Sequence, residues 1–416
     1  MPSENNEAIE KRLNELLTPV VFGQMSYYRE LGMRSRILSL PLMIAVMLTI
    51  LWRQVPSVHE LCRILVREDL LWCKAVQVSQ QALSERFLVF PAALFERVYK
   101  ALLPELKERW ARRQRPLPAS IAVASQHFAH IWAVDGSALE ALFRKLDALK
   151  EVPAGKLAGK MCLVIDLMRQ LPVELWFHEY AATFDTTFIP QILALVNQKT
   201  LLILDRGFYD FQFFADLIGK GAHLISRLKS NATIEVIDRL TVTHKVRDHL
   251  IYLGSGQNGA PILKLRLIEV LVDCRWHRYV TSVLDPMILP PFVVADLYRR
   301  RWRIEEAFNT AKRLLNLAYL WTGSVNGIQL QIWATWLFYA VLVDLGDAVA
   351  DEMSLPFDRI SLEMLFRGFY HFITAFNRGL ASDPITFFAA PENHDLGIVK
   401  PIRNKIPRLD LSPFPV

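Results

Sequence analysis

The residues with the clearest capacity for chemistry lie in one stretch, residues 296–317, which reads DLYRRRWRIEEAFNTAKRLLNL. Five of its side chains follow one another at spacings of 3, 4, 3 and 4 residues, which places them on one face of an α-helix. Such a face is normally apolar, whereas this one carries a phenol, a guanidinium, a carboxylate and an ammonium. The spacing predicts a helix built to meet a charged partner, such as a polyanion with metal ions. The five residues are Tyr298, Arg301, Glu305, Phe308 and Lys312.

Two aspartates each lie in an apolar, strand-like run. Asp135 lies in HIWAVDGSALE, where we expect the strand to break at Asp135–Gly136, and Asp205 follows TLLIL. Both runs are continuously apolar, as central strands covered on both faces should be. Carboxylates at such positions, together with Glu305, are suitable ligands for hard divalent cations. For either aspartate alone, a turn-forming role is the commoner explanation.

Together these motifs resemble the active site of a known family. Tyr298-x2-Arg301-x3-Glu305-x6-Lys312 is similar to the YREK motif of bacterial cut-and-paste transposases of the insertion-sequence-4 group. The segments DGS at 135–137 and DRGF at 205–208 precede this motif in the same order as in the family. The resemblance covers about residues 131–337. It implies a DDE site, in which Asp135, Asp205 and Glu305 hold two Mg²⁺ ions, with Mn²⁺ as a substitute, for phosphoryl transfer on DNA.

The resemblance also implies DNA contacts. Three motif residues are expected to hold phosphates near the scissile bond: Tyr298, Arg301 and Lys312. The arginines clustered beside Glu305 are expected to neutralise further phosphates, each adding to a salt-dependent affinity; they are Arg299, Arg300 and Arg303. Trp302 and Phe308 are instead expected to pack into the core.

The family implies one further DNA contact, in the β-rich stretch that follows Asp205. Family members excise their DNA through a hairpin, which is relieved by flipping a base onto an aromatic side chain. Trp276, in CRWHRYVTS, is the expected aromatic residue. A shift of one residue would place His277 there instead, and a buried tryptophan that only packs is an equally good interpretation of Trp276.

The predicted fold class is α/β (α+β), with a ribonuclease-H-like catalytic core that carries a β-strand insertion and is flanked by N- and C-terminal helical regions. The core order is three strands, helix, strand and helix, near residues 131–135, 160–167, 173–180, 187–197, 201–205 and 210–219. The resemblance divides the chain into a helical N-terminal domain for transposon-end DNA (1–118), the first part of the core (119–222), the β insertion (223–285), the second part of the core with the catalytic helix (286–345) and a C-terminal helical region for dimerisation (346–416).

Composition sets looser bounds. The formal net charge of +6 over 416 residues is mildly basic, which suits a nucleic-acid partner without requiring one. The four cysteines form no CxxC pair, so neither a zinc ribbon nor a disulfide scaffold is expected. Free thiols suit a reducing environment, so a cytoplasmic location is expected. The polar start, MPSENNEAIEKR, predicts no secretory signal. A basic stretch at residues 107–115 is either a DNA-contacting linker or a solvated helix end.

High hydrophobicity raises the alternative of a membrane protein. Residues 314–343 carry no charge, but polar side chains interrupt the first half, and only residues 332–343 are densely apolar. Twelve residues are too few to cross a bilayer comfortably and suit a buried core helix. The sequence therefore predicts no membrane-spanning segment.

The predicted function is DNA transposition. The protein is expected to bind the inverted repeats of its own element as a homodimer on double-stranded DNA, cleave the ends and join them to target DNA, in the bacterial cytoplasm beside the nucleoid. Two alternatives stay open. One is a DNA-binding remnant that has lost catalysis, and the other is a metal-dependent nuclease without a joining step.

Overall fold

The computed structural model describes residues 7–34, 36–139, 159–272, 274–315, 317, 324–401 and 410–415. Parts of the predicted core (140–158) and of the predicted C-terminal region (402–409) lie outside these residues. The chain divides into two compact units. The helical unit comprises Met1–Pro116, Leu139–Ala158 and Phe308–Pro401. The sheet unit comprises Leu117–Ala138, Gly159–Ala307 and Ile402–Val416.

The helices and strands of both units are numbered in chain order. The helices are α1 (Glu7–Phe22), α2 (Met25–Glu30), α3 (Leu40–Trp52), α4 (Val58–Arg67), α5 (Gln80–Val89), α6 (Ala92–Arg112), α7 (Ala119–Ala124), α8 (Ile189–Leu195), α9 (Phe211–Gly219), α10 (Pro291–Arg300), α11 (Trp302–Asn309), α12 (Val325–Glu352), α13 (Leu362–Asn377) and α14 (Pro384–Ala389). The strands are β1 (His130–Ala138), β2 (Lys160–Asp166), β3 (Pro172–His178), β4 (Thr200–Leu204), β5 (His223–Arg227), β6 (Ile234–Val242), β7 (Val246–Leu253), β8 (Leu263–Val272) and β9 (Arg275–Thr281).

The helical unit is packed around α12, which contacts α3, α5, α6, α13 and α14. By length and composition α12 could cross a membrane, but its most apolar window is wholly buried within the described structure. It also carries two buried aspartates, Asp344 and Asp347, which form ion pairs with arginines of the same unit. Such burial is that of a core helix, as residues 332–343 predicted. The chain changes units after Ala307, within the predicted 286–345 segment.

Part of the basic stretch at residues 107–115 is directed into the helical unit. Arg113 lies 2.7 Å from both Asp344 and Asp347, and Arg115, which is 7% exposed, pairs with Asp347 as well. A buried arginine with a carboxylate partner is not available to a phosphate. The interpretation of the whole stretch as a DNA-contacting linker is therefore wrong for these two arginines.

The sheet unit is built on one nine-stranded sheet of order β3-β2-β1-β4-β5-β9-β8-β7-β6. Strand β4 pairs in parallel with β1 on one side and with β5 on the other, and every other pair is antiparallel. The first five strands have the order and directions of the expected ribonuclease-H-like core, and the predicted core elements lie within a few residues of those observed. Because β5 belongs to this parallel part, the additional antiparallel strands are β6–β9, and they extend the same sheet.

Strand β4 shows why the acidic motifs follow such apolar runs. All five of its residues are buried, and Leu202 and Leu204 face a core formed with Phe213 and Phe214 of α9. The alternate residues point to the opposite face and are equally buried, so both faces of the strand are covered. A polar side chain is tolerated here only where the strand ends.

An ion pair of zero exposure ties the added strands to the start of α10. Arg266 of β8 donates from Nε and Nη2 to the two carboxylate oxygens of Asp248 on β7, both at 2.7 Å. Its remaining nitrogen, Nη1, donates to the Leu289 carbonyl at 2.8 Å, two residues before α10 begins. This one side chain therefore fixes two strands and the entry to the helix that carries the charged motif.

Replacing Arg266 by Met should lower the free energy of unfolding by about 3–5 kcal/mol, because Asp248 would be left buried and unpaired. The double variant Arg266→Met/Asp248→Leu should recover much of that loss. Denaturant unfolding followed by tryptophan fluorescence measures both. Arg239→Met, at an exposed position of β6, is the control, with an expected change within about 0.5 kcal/mol. A double variant no more stable than Arg266→Met would contradict this account.

Candidate active site

Asp135 lies inside β1 and not at its end. The strand continues for three residues beyond it to Ala138, and Asp135 pairs with Leu163 of β2. The expected break at Asp135–Gly136 is therefore wrong, since pairing with β2 carries β1 onward after β4 has ended. The carboxylate is 10% exposed; its Oδ1 accepts the Gly136 amide at 2.8 Å. It is not a turn former.

Asp205 lies at the same edge of the sheet, directly after β4. Val134 and Leu204 are the last register partners of the parallel pair, so Asp135 and Asp205 are the next residue on each strand. Asp205 precedes the short 3₁₀ helix Arg206–Phe208, but its side chain makes no capping hydrogen bond there. Its carboxylate is 38% exposed. The turn is closed by main-chain groups, which leaves the carboxylate available to a ligand.

The charged motif is divided between three helical segments and does not form one α-helix. Helix α10 ends at Arg300, α11 begins at Trp302, and a π-helix follows at Thr310–Leu314. At the junction the Arg301 amide donates to Tyr298 and the Ile304 amide to Arg301, both three residues back. The prediction of one regular helix is wrong at this point. A tightened turn of this kind brings side chains three residues apart into line.

The guanidinium of Arg301 lies among all three acids. Its Nη1 donates to Asp135 Oδ2 at 2.7 Å and lies 3.9 Å from Glu305 Oε1, while Nη2 is 3.5 Å from Asp205 Oδ1. The arginine side chain is 8% exposed. The structure therefore brings Asp135, Asp205 and Glu305 together around one buried positive charge, and Arg301 contacts acids where a phosphate grip was predicted.

The electrostatics of this cluster are unfavourable for Asp135. Burial is the largest influence and, against the opposing charge of Arg301, raises the pKa of Asp135 to about 7. The charges of Glu305 and Asp205, and a hydrogen bond shared with Glu305, contribute smaller parts of this rise. Burial by itself would lower the pKa of Arg301. The negative charges of Asp135 and Asp205 outweigh that effect, so the pKa of the guanidinium is raised. The single positive charge of Arg301 therefore only partly offsets the negative charges of the three acids.

Tyr298 joins the cluster from the last turns of α10. Its hydroxyl donates to Asp205 Oδ1 at 3.3 Å, and its ring packs against Tyr279 of β9 with ring centres 5.2 Å apart. Burial, then the neighbouring charge of Asp205, raises the pKa of this phenol to about 12. It therefore stays a hydrogen-bond donor throughout the physiological range.

The arginines beside the motif have carboxylate partners of their own. Arg299 and Arg300 both pair with Asp296, which is 3% exposed, and Arg300 also donates to Ser120 Oγ at 3.0 Å. Arg303 pairs with Glu306 at 2.6 Å. The sequence interpretation gave Asp296 no role, although its spacing of three and four residues from the arginines is a usual signal of a helical ion pair. The DNA contacts of these arginines stay predictions.

Trp302 is 62% exposed, so the expectation that it packs into the core is wrong. The buried positions around it, Arg301, Ile304 and Ala307, recur every three residues, and Trp302 points away from that line. Phe308 is buried as expected, with its ring 6.2 Å from that of Trp336 in the helical unit.

Lys312 also belongs to the helical unit, within the π-helix Thr310–Leu314. Its predicted phosphate contact stays a prediction.

The two candidates for a base-stacking residue lie on opposite faces of the sheet. His277 shares a face of β9 with Tyr279, which contacts Tyr298, whereas Trp276 points to the other face. There the guanidinium of Arg247 lies 4.3 Å from the Trp276 ring centre. Trp276 thus faces away from the side on which α10 packs, and its role in stacking a base stays a prediction.

A sequence profile of the family described as "Transposase DDE domain" matches residues 130–341, half of the chain. The match includes Asp135, Asp205 and Glu305. The chain belongs to this family of DDE transposases. Family membership also accounts for the ribonuclease-H-like order of the first five strands.

Three curated relatives agree with this assignment. The chain is 24% identical over 223 residues to the putative transposase y4zB of Sinorhizobium fredii, which covers 49% of this chain and 60% of the relative. It is 23% identical over 177 residues to the probable transposase for insertion sequence element IS5377 of Geobacillus stearothermophilus, a match to 41% of this chain and 46% of the relative. It is 24% identical over 160 residues to the transposase InsG for insertion sequence element IS4 of Escherichia coli, a match to 36% of this chain and 35% of the relative. The matches thus span 35–60% of the relatives' lengths.

DDE transposase domains use divalent metal ions, and the donor set of this site suits them. Three carboxylates offer only oxygen ligands, which hard divalent cations prefer. Three carboxylates share the single positive charge of Arg301, which leaves room for the charge of a cation. Among the described residues no three acidic, His or Cys side chains are close enough to surround one ion. The guanidinium of Arg301 contacts the acids instead, so ion binding requires these side chains to rearrange around it.

The raised pKa of Asp135 predicts a pH-dependent stability without metal. An acid with a folded pKa of about 7 and an unfolded pKa of about 4 binds its proton more tightly in the folded state. Its contribution to the free energy of unfolding should therefore fall as the pH rises from about 4 to about 7 and level off above.

Denaturant unfolding at a series of pH values, with a chelator present, measures this effect as the difference between the wild type and Asp135→Asn. All other titrating groups are common to both proteins and largely cancel. Parallel pH profiles for the two proteins would contradict the assignment.

Proposed function

We propose that the protein is a DNA transposase that binds the terminal inverted repeats of its own element, cleaves the DNA there and joins the ends to target DNA. The observation that carries the proposal is the convergence of Asp135, Asp205 and Glu305 on Arg301, in a chain of the DDE transposase family. Three carboxylates that share one guanidinium, with Asp135 among them buried, are costly to the fold, and their use as cation ligands explains why the cost is tolerated.

The acids would hold two Mg²⁺ ions, with Mn²⁺ as a substitute. The chemistry that such ions would supply when bound is activation of a water or a 3′-hydroxyl for in-line attack, with stabilisation of the leaving oxygen. Asp135, the least exposed acid, fixes the inner side of the site, while Asp205 and Glu305, each 38% exposed, face the solvent from which DNA arrives. Arg301 keeps the acids converged before the ions bind and adds a positive charge beside the phosphate afterwards.

The remaining parts of the chain complete the proposal. The helical region 1–118 would bind the transposon ends, Lys312 and the arginines of α10 and α11 would hold phosphates, and Trp276 or His277 would receive a flipped base. Two copies would act together as a homodimer on paired DNA ends, with residues 346–416 as a contact between them. The protein would work in the bacterial cytoplasm on the DNA of the nucleoid.

Glu305→Gln should lower the single-turnover rate of end cleavage by about a thousandfold or more, because several kcal/mol of transition-state stabilisation would be lost. The substrate is a labelled duplex with the element's terminal repeat, in Mg²⁺, and the products are nicked and hairpin ends. Glu306→Gln is the matched control, since its side chain is adjacent but 53% exposed. It should cleave at close to the wild-type rate.

The same assay tests the alternatives. End binding without cleavage by the wild type would favour a remnant that has lost catalysis. Cleavage without joining to a target duplex would favour a nuclease. Equal activity of Glu305→Gln and the wild type would remove Glu305 from the site.

Tyr298→Phe should lower the cleavage rate by about tenfold, because the variant loses one hydrogen bond to a charged acceptor while the ring and its packing remain. The dissociation constant for DNA, measured by fluorescence anisotropy, should stay unchanged if the hydroxyl acts on Asp205. A weaker DNA complex with an unchanged rate would instead show that the hydroxyl holds a phosphate.

A further inference from the structure

A fourth carboxylate, that of Asp185, lies against the two backbone segments that carry the catalytic aspartates. A Cβ atom built on Gly136 would collide with Asp185 Oδ1, and one built on Gly207 would collide with Oδ2, both within 3.0 Å. Gly136 directly follows Asp135, and Gly207 lies two residues after Asp205. The carboxylate therefore occupies the space that side chains at both positions would need, and spans the gap between the two segments.

Asp185 is held in place by the elements around it. It begins the 3₁₀ helix Asp185–Phe188, which leads into α8. Lys160, at the start of β2, places its ammonium 2.7 Å from Oδ1 and donates to the Thr183 carbonyl, also at 2.7 Å. The two side chains are 14% and 21% exposed. The paired charge means that Asp185 adds little negative charge to the acids nearby.

The contact between Lys160 and Asp185 is electrostatic. The Lys160 ammonium lies 2.7 Å from Oδ1, which is the distance of a close ion pair. Two contacts therefore set where the carboxylate lies: the Lys160 ammonium 2.7 Å from Oδ1, and the backbone at Gly136 and Gly207. The lysine chain contributes to the same fit, because its Cε would also contact a Cβ on Gly136.

The parallel pairing of β1 with β4 ends one residue before Asp135 and Asp205. The register of β1 with β4 ends at Val134 and Leu204, after which β1 stays paired with β2 and β4 turns into a 3₁₀ helix. The catalytic carboxylates therefore lie just beyond the last paired residues of β1 and β4. Just beyond this point, the side chain of Asp185 lies against both segments, at Gly136 and at Gly207.

We propose that Asp185 is a positioning residue of the catalytic site, which rests on the function proposed above. Held by Lys160, its carboxylate sets the separation of the segments that bear Asp135 and Asp205, and so the spacing of the cation ligands. Gly136 and Gly207 are glycines because this carboxylate occupies the place of their side chains.

Asp185→Ala tests the proposal. It should weaken Mn²⁺ binding and slow end cleavage, each by about 10–100-fold, as expected when a group that orients metal ligands is lost. Mn²⁺ binding is measured without DNA, by electron paramagnetic resonance of the free ion, and the dissociation constant for DNA should not change. Asp185→Asn keeps the shape and should retain more of both properties. Glu179→Ala removes an exposed carboxylate six residues earlier in the chain and is the matched control.

A double-mutant cycle separates positioning from general stability. Gly136→Ala alone should impair Mn²⁺ binding, because its methyl group collides with Asp185. The same change in the Asp185→Ala background should cost much less, so the two effects should not multiply. Melting temperatures of all variants verify that each is folded.

Two results would overturn the inference. One is an Asp185→Ala protein that melts earlier but binds Mn²⁺ and cleaves like the wild type. The other is a cycle in which the two effects multiply. A wild type that binds no Mn²⁺ would instead remove the proposed metal site itself, and the inference with it, so the two failures are distinct.

Discussion

The sheet unit is organised around the placement of one guanidinium among three carboxylates. Burial is the main cost for Asp135, whose pKa rises to about 7, and repulsion from Glu305 and Asp205 adds to it. Arg301 offsets part of this cost because its planar fork offers several donors in different directions, so that it contacts all three acids. A lysine, with a compact charge on a flexible chain, is a poor substitute for such a bridge. The cluster is therefore stable enough to fold and still short of positive charge.

The three acids lie on three different elements: β1, the end of β4, and α11. Asp135 and Asp205 come from neighbouring parallel strands in one register, and Glu305 lies one helical turn after Arg301. Helix α10, which precedes Arg301, is fixed at two points. Arg266 donates to the Leu289 carbonyl just before the helix starts, and Ser120 of α7 donates to Asp296 within it. The strands β6–β9 thus contribute to the site through the position of α10, in addition to any surface that they offer to DNA.

Charge density along the sequence overstates the charge that is free to bind a phosphate. Arg299 and Arg300 share Asp296, and Arg113 is shared between two aspartates of α12. These carboxylates lie three or four residues away in one case and more than two hundred residues away in the other. Local spacing could predict only the nearby partner, Asp296. The distant partners of Arg113 could not be predicted, and so a core contact resembled a DNA-binding patch in the sequence.

The sequence by itself determined the fold class and the order of the core elements, and it singled out the three acids that the structure brings together around Arg301. These depend on local patterns, namely apolar runs, helical spacing and the motif words, which survive without knowledge of distant contacts. The tertiary structure alone decided the continuation of β1 past Asp135, the tight turn at Arg301, the exposure of Trp302 and the place of Asp185. Each of these depends on residues that are far apart in the chain and close in space, so no local pattern encodes them.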